Sequence, residues 1–214
     1  MSRRRTYGNK KAVDSNTLLL LTGDDFADHS LNNYAITNNG VTLSSATAKF
    51  VSSYKLNGNA YLSAPKFTLG TSDFTIDFWV NLSSTNGIFI RIGGIPNQTY
   101  SQICLSNNSG VFRCEIYPKN NTASGGIMQT YSAISTNAWH HIALVRNSTS
   151  FKLYLDGTCI ISMTSSMSLE TPDTLTFVGG DPTSYNNMNG YIDELRISNI
   201  ARWISNFTPP TKAY

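Results

Sequence analysis

Residues 73–84, DFTIDFWVNLSS, alternate apolar and polar side chains with a period of two. Because successive side chains of a β-strand point to opposite faces, this pattern predicts a strand with two unlike faces. One face contains the large apolar side chains Phe74, Ile76, Phe78, Val80 and Leu82. The other face contains Thr75, Asp77, Trp79 and Asn81. We expect the first face to lie on a core and the second to be mixed polar and aromatic.

Strand-like segments of the same kind continue on both sides of this stretch. Runs such as GIFIRIG (87–93) and WHHIALVRN (139–147) are rich in β-branched and aromatic residues, and turn-forming pairs such as Asp156-Gly157 separate them. Only 14% of the 214 residues are charged, and no segment keeps a helical period for more than a turn or two. Short strands with turn signals every 8–12 residues predict an all-β fold, a single sandwich of two antiparallel sheets.

Basic residues are concentrated at the start of the chain. Five of the sixteen Lys and Arg residues lie in the first eleven positions: Arg3, Arg4, Arg5, Lys10 and Lys11. The remainder has eleven basic and thirteen acidic residues, which does not indicate specific binding to nucleic acid. A short basic run at a terminus is either a solvated tail or an anchor on an acidic partner. We therefore divide the chain into a basic arm, residues 1–16, and a domain, residues 17–214.

The start of the chain does not have the pattern of a secretory signal. Its apolar run is Leu18–Leu21, four residues long, far below the length of a signal sequence core or a membrane span. We expect a protein that is made in the cytoplasm and is not inserted into a membrane.

Four stretches, in their shared order, resemble the concanavalin A-like lectin/glucanase superfamily and its LamG-like jelly-roll branch. They are TLLLLTGDD (17–25) with ADHS (27–30), DFTIDFWVNLSS (73–84), WHHIALVRNSTSFKLYLDGT (139–158) and GYIDELRISNIARWISNFTPP (190–210). This resemblance spans residues 17–210 and implies a jelly-roll sandwich with about six or seven strands in each sheet. The last stretch is most similar to versions of this domain in bacteriophage structural proteins.

The resemblance also implies a structural calcium site. In the family, an Asp in the last long strand often binds calcium together with carboxylates of the loop after the first strand. The corresponding residues here are Asp24, Asp28 and Asp193, and calcium prefers such oxygen ligands. The alternative is that Asp28 and Asp193 accept backbone hydrogen bonds and bind no metal.

The acidic pair Asp193-Glu194 does not have the spacing of a catalytic pair. In a regular strand Asp193 shares a face with Leu195 and Ile197, whereas Glu194 points the other way. Retaining glycosidases need two carboxyl groups about 5–5.5 Å apart, and the three glutamates of this chain lie in different elements. The neighbours His140 and His141 likewise diverge and cannot bind one zinc ion. We therefore predict that the protein is not an enzyme.

Carbohydrate binding is the one positive function that the residues permit. A sugar site needs an aromatic platform and planar polar groups that make directional hydrogen bonds. The candidates lie on predicted strand faces and in Asn-rich loops: Asp77, Trp79, Arg91, Tyr100 and Tyr185. The alternative is that Trp79 packs against a neighbouring strand and that the Asn-rich loops only form turns.

These observations predict a non-enzymatic virion structural protein of a phage, either a capsid decoration protein or a tail or fibre component. The basic arm would hold it to other virion proteins, and the domain would face outward on the particle and adhere to host-surface glycans. A calcium-dependent, lectin-like carbohydrate-binding module is the alternative. We also expect a homo-oligomer, because an exposed sheet edge needs protection.

Overall fold

The computed structural model describes residues 13–93, 102–117, 127–169, 175–183 and 186–214. It confirms the predicted all-β sandwich of two antiparallel sheets. The described residues contain no α-helix, so they include no helix long and apolar enough to cross a membrane.

The two sheets contain eight and seven strands, close to the six or seven expected for each. The eight-stranded front sheet consists of β1 (Thr17–Leu21), β3 (Thr42–Ser44), β4 (Ser53–Asn57), β6 (Phe74–Leu82), β11 (Trp139–Asn147), β12 (Ser150–Leu155), β13 (Thr158–Thr164) and β15 (Asn189–Ser198). The back sheet consists of β2 (Thr37–Asn39), β5 (Tyr61–Ala64), β7 (Gly87–Gly93), β8 (Gln102–Asn108), β9 (Val111–Tyr117), β10 (Ile127–Tyr131) and β14 (Thr176–Val178). The front order is β13-β12-β11-β6-β15-β4-β3 with β1 also paired to β15, and the back order is β10-β9-β8-β7-β14-β5-β2.

The core lies between the sheets, and β6 has the inner face that the sequence predicts. All five predicted core residues of β6 are at most 1% exposed. Phe78 packs on Phe89 of the back sheet with ring centres 6.0 Å apart, and Phe89 packs on Phe112 at 5.8 Å. Each such burial stabilises the fold by about 1.5–3 kcal/mol. This face anchors β6 on the core, and pairing with β11 on one side and β15 on the other places it at the centre of the front sheet.

The outer face of β6 is also buried, which the alternating pattern did not predict. Asp77 is fully buried and Trp79 is 6% exposed, because two segments outside the strands cover them. Phe50 meets the Trp79 ring edge to face at 6.3 Å, and the Lys49 ammonium lies 3.6 Å above that ring. Residues 199–214, here called the C-terminal segment, cover the neighbouring part of this face. The outer face of β6 is therefore a second buried region, which contains charged as well as aromatic side chains.

A β-bulge in β15 changes the predicted facing of its acidic residues. Asp193 lies opposite Trp79 and Arg196 lies opposite Asp77, so Glu194 and Leu195 together face a single residue of β6. Glu194 has a φ of 51°, which turns the chain at this point. The prediction that Asp193 shares a face with Leu195 and Ile197 is therefore wrong. Asp193 and Arg196 lie on the outer face, whereas Leu195 and Ile197 belong to the core.

Candidate functional site

The C-terminal segment builds an aromatic wall on the outer face of the front sheet. The rings of Trp203 and Phe207 stack with centres 4.1 Å apart and planes within 8° of parallel. Phe207 also meets Tyr154 of β12 at 5.3 Å, and both rings of the wall meet the His141 ring edge to face at 5.7 Å. These contacts fix the indole of Trp203 on the sheet.

A cleft of about 460 Å³ opens between this wall and the start of β1. The residues that line it are Val13, Asp14, Thr17, Leu20, Arg196, Arg202, Trp203 and Tyr214. It combines two aromatic side chains with one carboxylate, two guanidinium groups and the hydroxyls of Thr17 and Tyr214. A cavity of this size with few, convergent polar groups is typical of a ligand site.

Arg202 organises the polar rim of the cleft. Its Nη2 donates to both carboxylate oxygens of Asp14, at 3.0 and 3.1 Å, and to Thr17 Oγ1 at 3.0 Å. Its Nε donates to Ser198 Oγ at 2.6 Å. The hydrogen bond from Arg202 lowers the pKa of Asp14 and outweighs partial burial, so Asp14 is ionised at neutral pH. The rim therefore presents a hydrogen-bond acceptor, the Asp14 carboxylate, and a donor, the Arg202 guanidinium, in fixed orientations.

The floor of the cleft is a buried ion pair under an aromatic lid. Arg196 Nε and Nη2 donate to Asp77 Oδ1 and Oδ2 at 3.1 and 3.2 Å. The Tyr214 hydroxyl also donates to Asp77, and the Tyr214 backbone N–H donates to Glu194 Oε2 at 2.8 Å. Burial by itself raises the pKa of Asp77, but the charge and hydrogen bonds of Arg196, together with the neighbouring His141, outweigh it and hold that pKa below its usual range. Asp77 is thus an ionised, fully bonded structural group.

His141 lies beside this pair in an aromatic environment. Its Nε2 is 3.6 Å from Asp77 Oδ2, too long for a hydrogen bond, and its ring is 5.1 Å from that of Trp79. Within the described residues neither ring nitrogen has a hydrogen-bond partner. His141 and His140 diverge, as the sequence predicts for neighbours in a strand.

The predicted sugar-binding residues do not form one accessible surface. Asp77 and Trp79 are buried under the segments that cover the front sheet, while Arg91 lies on the outer face of the back sheet. Arg91 is itself buried and paired with Asp181 at 2.7 Å. The structure therefore contradicts a shared site for these three residues, because a sandwich core separates them. The predicted Tyr100 and Tyr185 lie outside the described residues.

The predicted metal ligand Asp28 serves the turn after β1. Its Oδ1 accepts the backbone N–H groups of Leu20 and Ser30 at 3.0 and 2.8 Å. Its Oδ2 accepts the Ser30 hydroxyl at 2.7 Å and the Tyr34 N–H at 2.9 Å. Four donors on two oxygens fit the alternative expectation for Asp28, a backbone hydrogen-bond acceptor.

Asp193 differs from Asp28 in the hydrogen bonding of its two carboxylate oxygens. Oδ2 accepts the N–H groups of Lys49 and Phe50 at 3.0 and 3.2 Å, and within the described residues the buried Oδ1 has no hydrogen-bond partner. Burial, together with the nearby charge of Asp24, raises the pKa of Asp193 to about 7, although the hydrogen bonds from Lys49 and Phe50 lower it. No three His, Cys, Asp or Glu residues of the described ranges form a metal-binding group. The structure thus brings Asp24 near Asp193 and assigns Asp28 elsewhere.

The sequence pattern did not indicate four residues of the cleft as site residues: Asp14, Arg202, Trp203 and Tyr214. Trp203 and Arg202 lie in the ARWISNFTPP stretch that supports the family resemblance, so their position in the chain was noticed but not their role. Asp14 and Arg202 are 188 positions apart, and no local pattern links them.

The architecture is that of a jelly-roll sandwich, a class that includes many non-enzymatic binding domains. The family model for laminin G-type domains, described as the concanavalin A-like lectin/glucanases superfamily, matches residues 56–203. The chain belongs to this superfamily, and the resemblance predicted from its four stretches is confirmed.

Several solved structures share this fold. One is the binding domain of Paraclostridial Mosquitocidal Protein 1, with a TM-score of 0.70, 20% identity, and coverage of 87% of this chain and 49% of that one. Another is domain 4 of AbnA, an extracellular arabinanase of Geobacillus stearothermophilus solved with arabinotriose, with a TM-score of 0.69, 21% identity, and coverage of 87% and 93%. A third comes from a study of botulinum neurotoxin type C, whose cell entry depends on two ganglioside molecules, with a TM-score of 0.65, 17% identity, and coverage of 87% and 48%.

This chain spans about half the length of the first and third of these structures. At these identities the similarity shows the fold alone. No curated protein matches the chain in sequence.

Proposed function

We propose that this protein is a glycan-binding module and that the cleft beside Trp203 is its binding site. The observation that supports this most directly is the combination of Trp203 and Tyr214 with the fixed planar groups of Asp14 and Arg202. This site replaces the strand-face residues predicted from the sequence.

The chemistry of the cleft suits a sugar ring. An aromatic side chain offers an apolar surface for the C–H groups of a pyranose or furanose, and this contact requires little conformational change from a fixed ring. A carboxylate accepts hydrogen bonds from hydroxyl groups, and a guanidinium donates to them, both with directional geometry. Asp14 retains 47% of its side-chain exposure while Arg202 holds it, so it is accessible to a ligand.

The similar structures support the same function. The arabinanase domain was solved with a bound arabinotriose, and the neurotoxin requires gangliosides for entry into cells. Both ligands are carbohydrates or bear carbohydrate headgroups. We infer a glycan ligand for this chain on the same fold, with its own cleft providing the contacts.

A glycan array that includes arabino-oligosaccharides and ganglioside headgroups tests the proposal. The full chain should bind at least one sugar class, and Trp203→Ala should abolish that binding. Tyr131→Ala is the matched control, because Tyr131 is an exposed aromatic residue on β10 of the back sheet. Equal binding by the Trp203 and Tyr131 variants would exclude the cleft as the site.

The basic arm supports a second, finer proposal, namely that this module is a component of a phage particle. The five basic residues between Arg3 and Lys11 would anchor it on other virion proteins, and the cleft would face outward. Deletion of residues 1–11 should abolish incorporation into particles and leave glycan binding unchanged. Normal incorporation of the deletion variant would overturn this placement. Size-exclusion chromatography with light scattering tests the accompanying proposal of a homo-oligomer.

We also propose a calcium site, with two of the three carboxylate ligands that the sequence analysis predicted. The buried Oδ1 of Asp193, which has no hydrogen-bond partner among the residues that the structure describes, and the carboxylate of Asp24 are the oxygen ligands that fit a calcium ion. We leave Asp28 out of this set because its two oxygens already accept four hydrogen bonds. When bound, the ion would neutralise two carboxylates at the end of the front sheet and stabilise the loop after β1.

A further inference from the structure

Three residues from separate parts of the chain form a serine–histidine–aspartate arrangement at one end of the front sheet. Ser135 precedes β11, His140 is the second residue of β11, and Asp156 begins the turn between β12 and β13. The Ser135 hydroxyl lies 2.7 Å from His140 Nε2, and His140 Nδ1 lies 2.7 Å from Asp156 Oδ2. Each ring nitrogen therefore has one partner, in the order that nucleophilic hydrolases require.

The backbone holds both ends of this arrangement. The side chain of Ile134 is 2% exposed in the core, and the Asn137 N–H donates to the Leu82 carbonyl at 2.8 Å. Ser135 lies between these two attachments. Because its chain neighbours are fixed, its hydroxyl is kept within reach of the His140 ring.

Asp156 is fixed by two backbone hydrogen bonds to β11. Its N–H donates to the His141 carbonyl at 2.8 Å, and its Oδ1 accepts the His141 N–H at 2.9 Å. The turn has φ values of 50° at Asp156 and 78° at Gly157, as expected for a type I′ turn, which an Asp-Gly pair favours. A Cβ on Gly157 would lie 1.8 Å from the Phe207 carbonyl oxygen, so this turn requires glycine.

The charge of Asp156 favours one tautomer of the His140 ring. Partial burial raises the pKa of Asp156, but the hydrogen bonds from His140 and the His141 N–H outweigh it and hold that pKa below its usual value. An ionised Asp156 accepts a proton-bearing Nδ1, which leaves the lone pair of Nε2 to accept the Ser135 O–H. The side chain of His140 is 16% exposed and that of Asp156 is 47% exposed, and Ser135 is exposed, so the hydroxyl is open to a reagent.

We propose that Ser135 is a nucleophile that His140 activates and Asp156 positions, and that it hydrolyses small carboxylic esters that can approach an open surface. Ser135 Oγ adds to the ester carbonyl carbon while its proton moves to His140 Nε2. Cleavage of the bond to the leaving alcohol follows, and the alcohol takes that proton. Water then attacks the acyl-serine by the same route, releases the carboxylic acid and restores Ser135. This activity goes beyond glycan binding and is independent of the cleft.

The test uses the full-length protein with an alkyl fluorophosphonate and with p-nitrophenyl acetate. Wild type should be labelled once, on Ser135 by peptide mapping, and should release p-nitrophenol at least about a hundredfold faster than Ser135→Ala, since general-base assistance contributes about 10²–10⁴-fold. Ser132→Ala is the matched control, because Ser132 is an exposed serine of the same loop without a histidine partner among the described residues. His140→Gln and Asp156→Asn should each reduce labelling at least tenfold.

Thermal unfolding of each variant shows whether the fold is intact. Labelling of Ser135 that depends on His140 and Asp156 in folded variants supports the proposal. Absence of labelling in the folded wild type, or equal labelling at Ser132 and Ser135, would overturn the proposal. The hydrogen bonds among Ser135, His140 and Asp156 would then have only a structural role.

Discussion

The guanidinium carbon of Arg196 lies 3.6 Å from the centre of the Tyr214 ring, so the C-terminal segment closes the buried Arg196–Asp77 ion pair from solvent. The two charges lie on neighbouring strands at the centre of the front sheet. A buried pair of this kind contributes little net stability by itself, but removal of one member leaves an uncompensated charge. The ion pair thus ties the C-terminal segment, and with it one wall of the cleft, to the sheet.

Replacement of one partner should therefore destabilise the protein strongly. We expect Asp77→Ala to reduce the free energy of unfolding by about 3–5 kcal/mol, because Arg196 loses both carboxylate acceptors in a buried position. Urea denaturation measures this. The double variant Asp77→Leu/Arg196→Met should be less destabilised than Asp77→Ala, since it leaves no buried charge. A loss below about 1 kcal/mol for Asp77→Ala would mean that the pair is not buried as described.

Tyr214 should contribute through both its hydroxyl and its ring. Tyr214→Phe removes the hydrogen bond to Asp77 and should cost about 2 kcal/mol, the usual range for a bond to a charged group. Tyr214→Ala also removes the ring from Arg196 and should cost about 2 kcal/mol more. The same denaturation experiment compares them, with the exposed Tyr131→Phe as control. If the Phe and Ala variants lose equal stability, the ring does not contribute.

The pH dependence of stability should report the burial of Asp193. Its pKa is about 7 in the folded protein and about 3.9 in an unfolded chain. The folded state thus holds a proton that the unfolded state releases, so this stabilising contribution is complete below about pH 4 and is lost as pH rises to about 7. The loss is up to about 4 kcal/mol. Unfolding of Asp193→Asn across this range should lack that contribution, and parallel curves for wild type and variant would contradict the assignment.

Bound calcium should restore the stability that the protein loses when Asp193 ionises. After treatment with EDTA, added calcium at pH 8 should raise the melting temperature of wild type and not that of Asp193→Asn or Asp24→Asn. A concentration one hundredfold above Kd stabilises a protein by about 2.7 kcal/mol. Asp25→Asn is the control, because Asp25 lies in the same loop and pairs with His29 at 2.9 Å. An unchanged melting temperature of wild type would exclude the site.

The local sequence pattern was sufficient to predict the strands and the face of β6 that meets the core. It did not predict the segments that cover the outer face of the front sheet. The alternation in residues 73–84 correctly predicts which side of β6 meets the core, because strand periodicity is a local property. The burial of Asp77 on the other side depends on Tyr214, 137 positions away, and no periodicity encodes that contact. The alternation therefore predicts a mixed polar and aromatic face but not that the C-terminal segment covers part of it.

The bulge in β15 explains the second difference. A regular strand predicts opposite faces for Asp193 and Arg196, but the insertion of one residue at Glu194-Leu195 places both on the outer face. Neither residue is a glycine, and no turn-forming residue marks the site in the sequence. The pairing of Asp14 with Arg202, 188 positions apart, is likewise a product of long-range packing.

The most direct test of glycan binding at the cleft is an equilibrium titration of the best-binding array glycan into wild type and Asp14→Asn. Asp14 is partly exposed on the rim, so this substitution leaves the core intact while it removes the charged acceptor. We predict saturable binding to wild type and at least a tenfold higher Kd for Asp14→Asn, with unchanged melting temperatures. Equal affinities for the two proteins, or no binding of any glycan to wild type, would contradict the account.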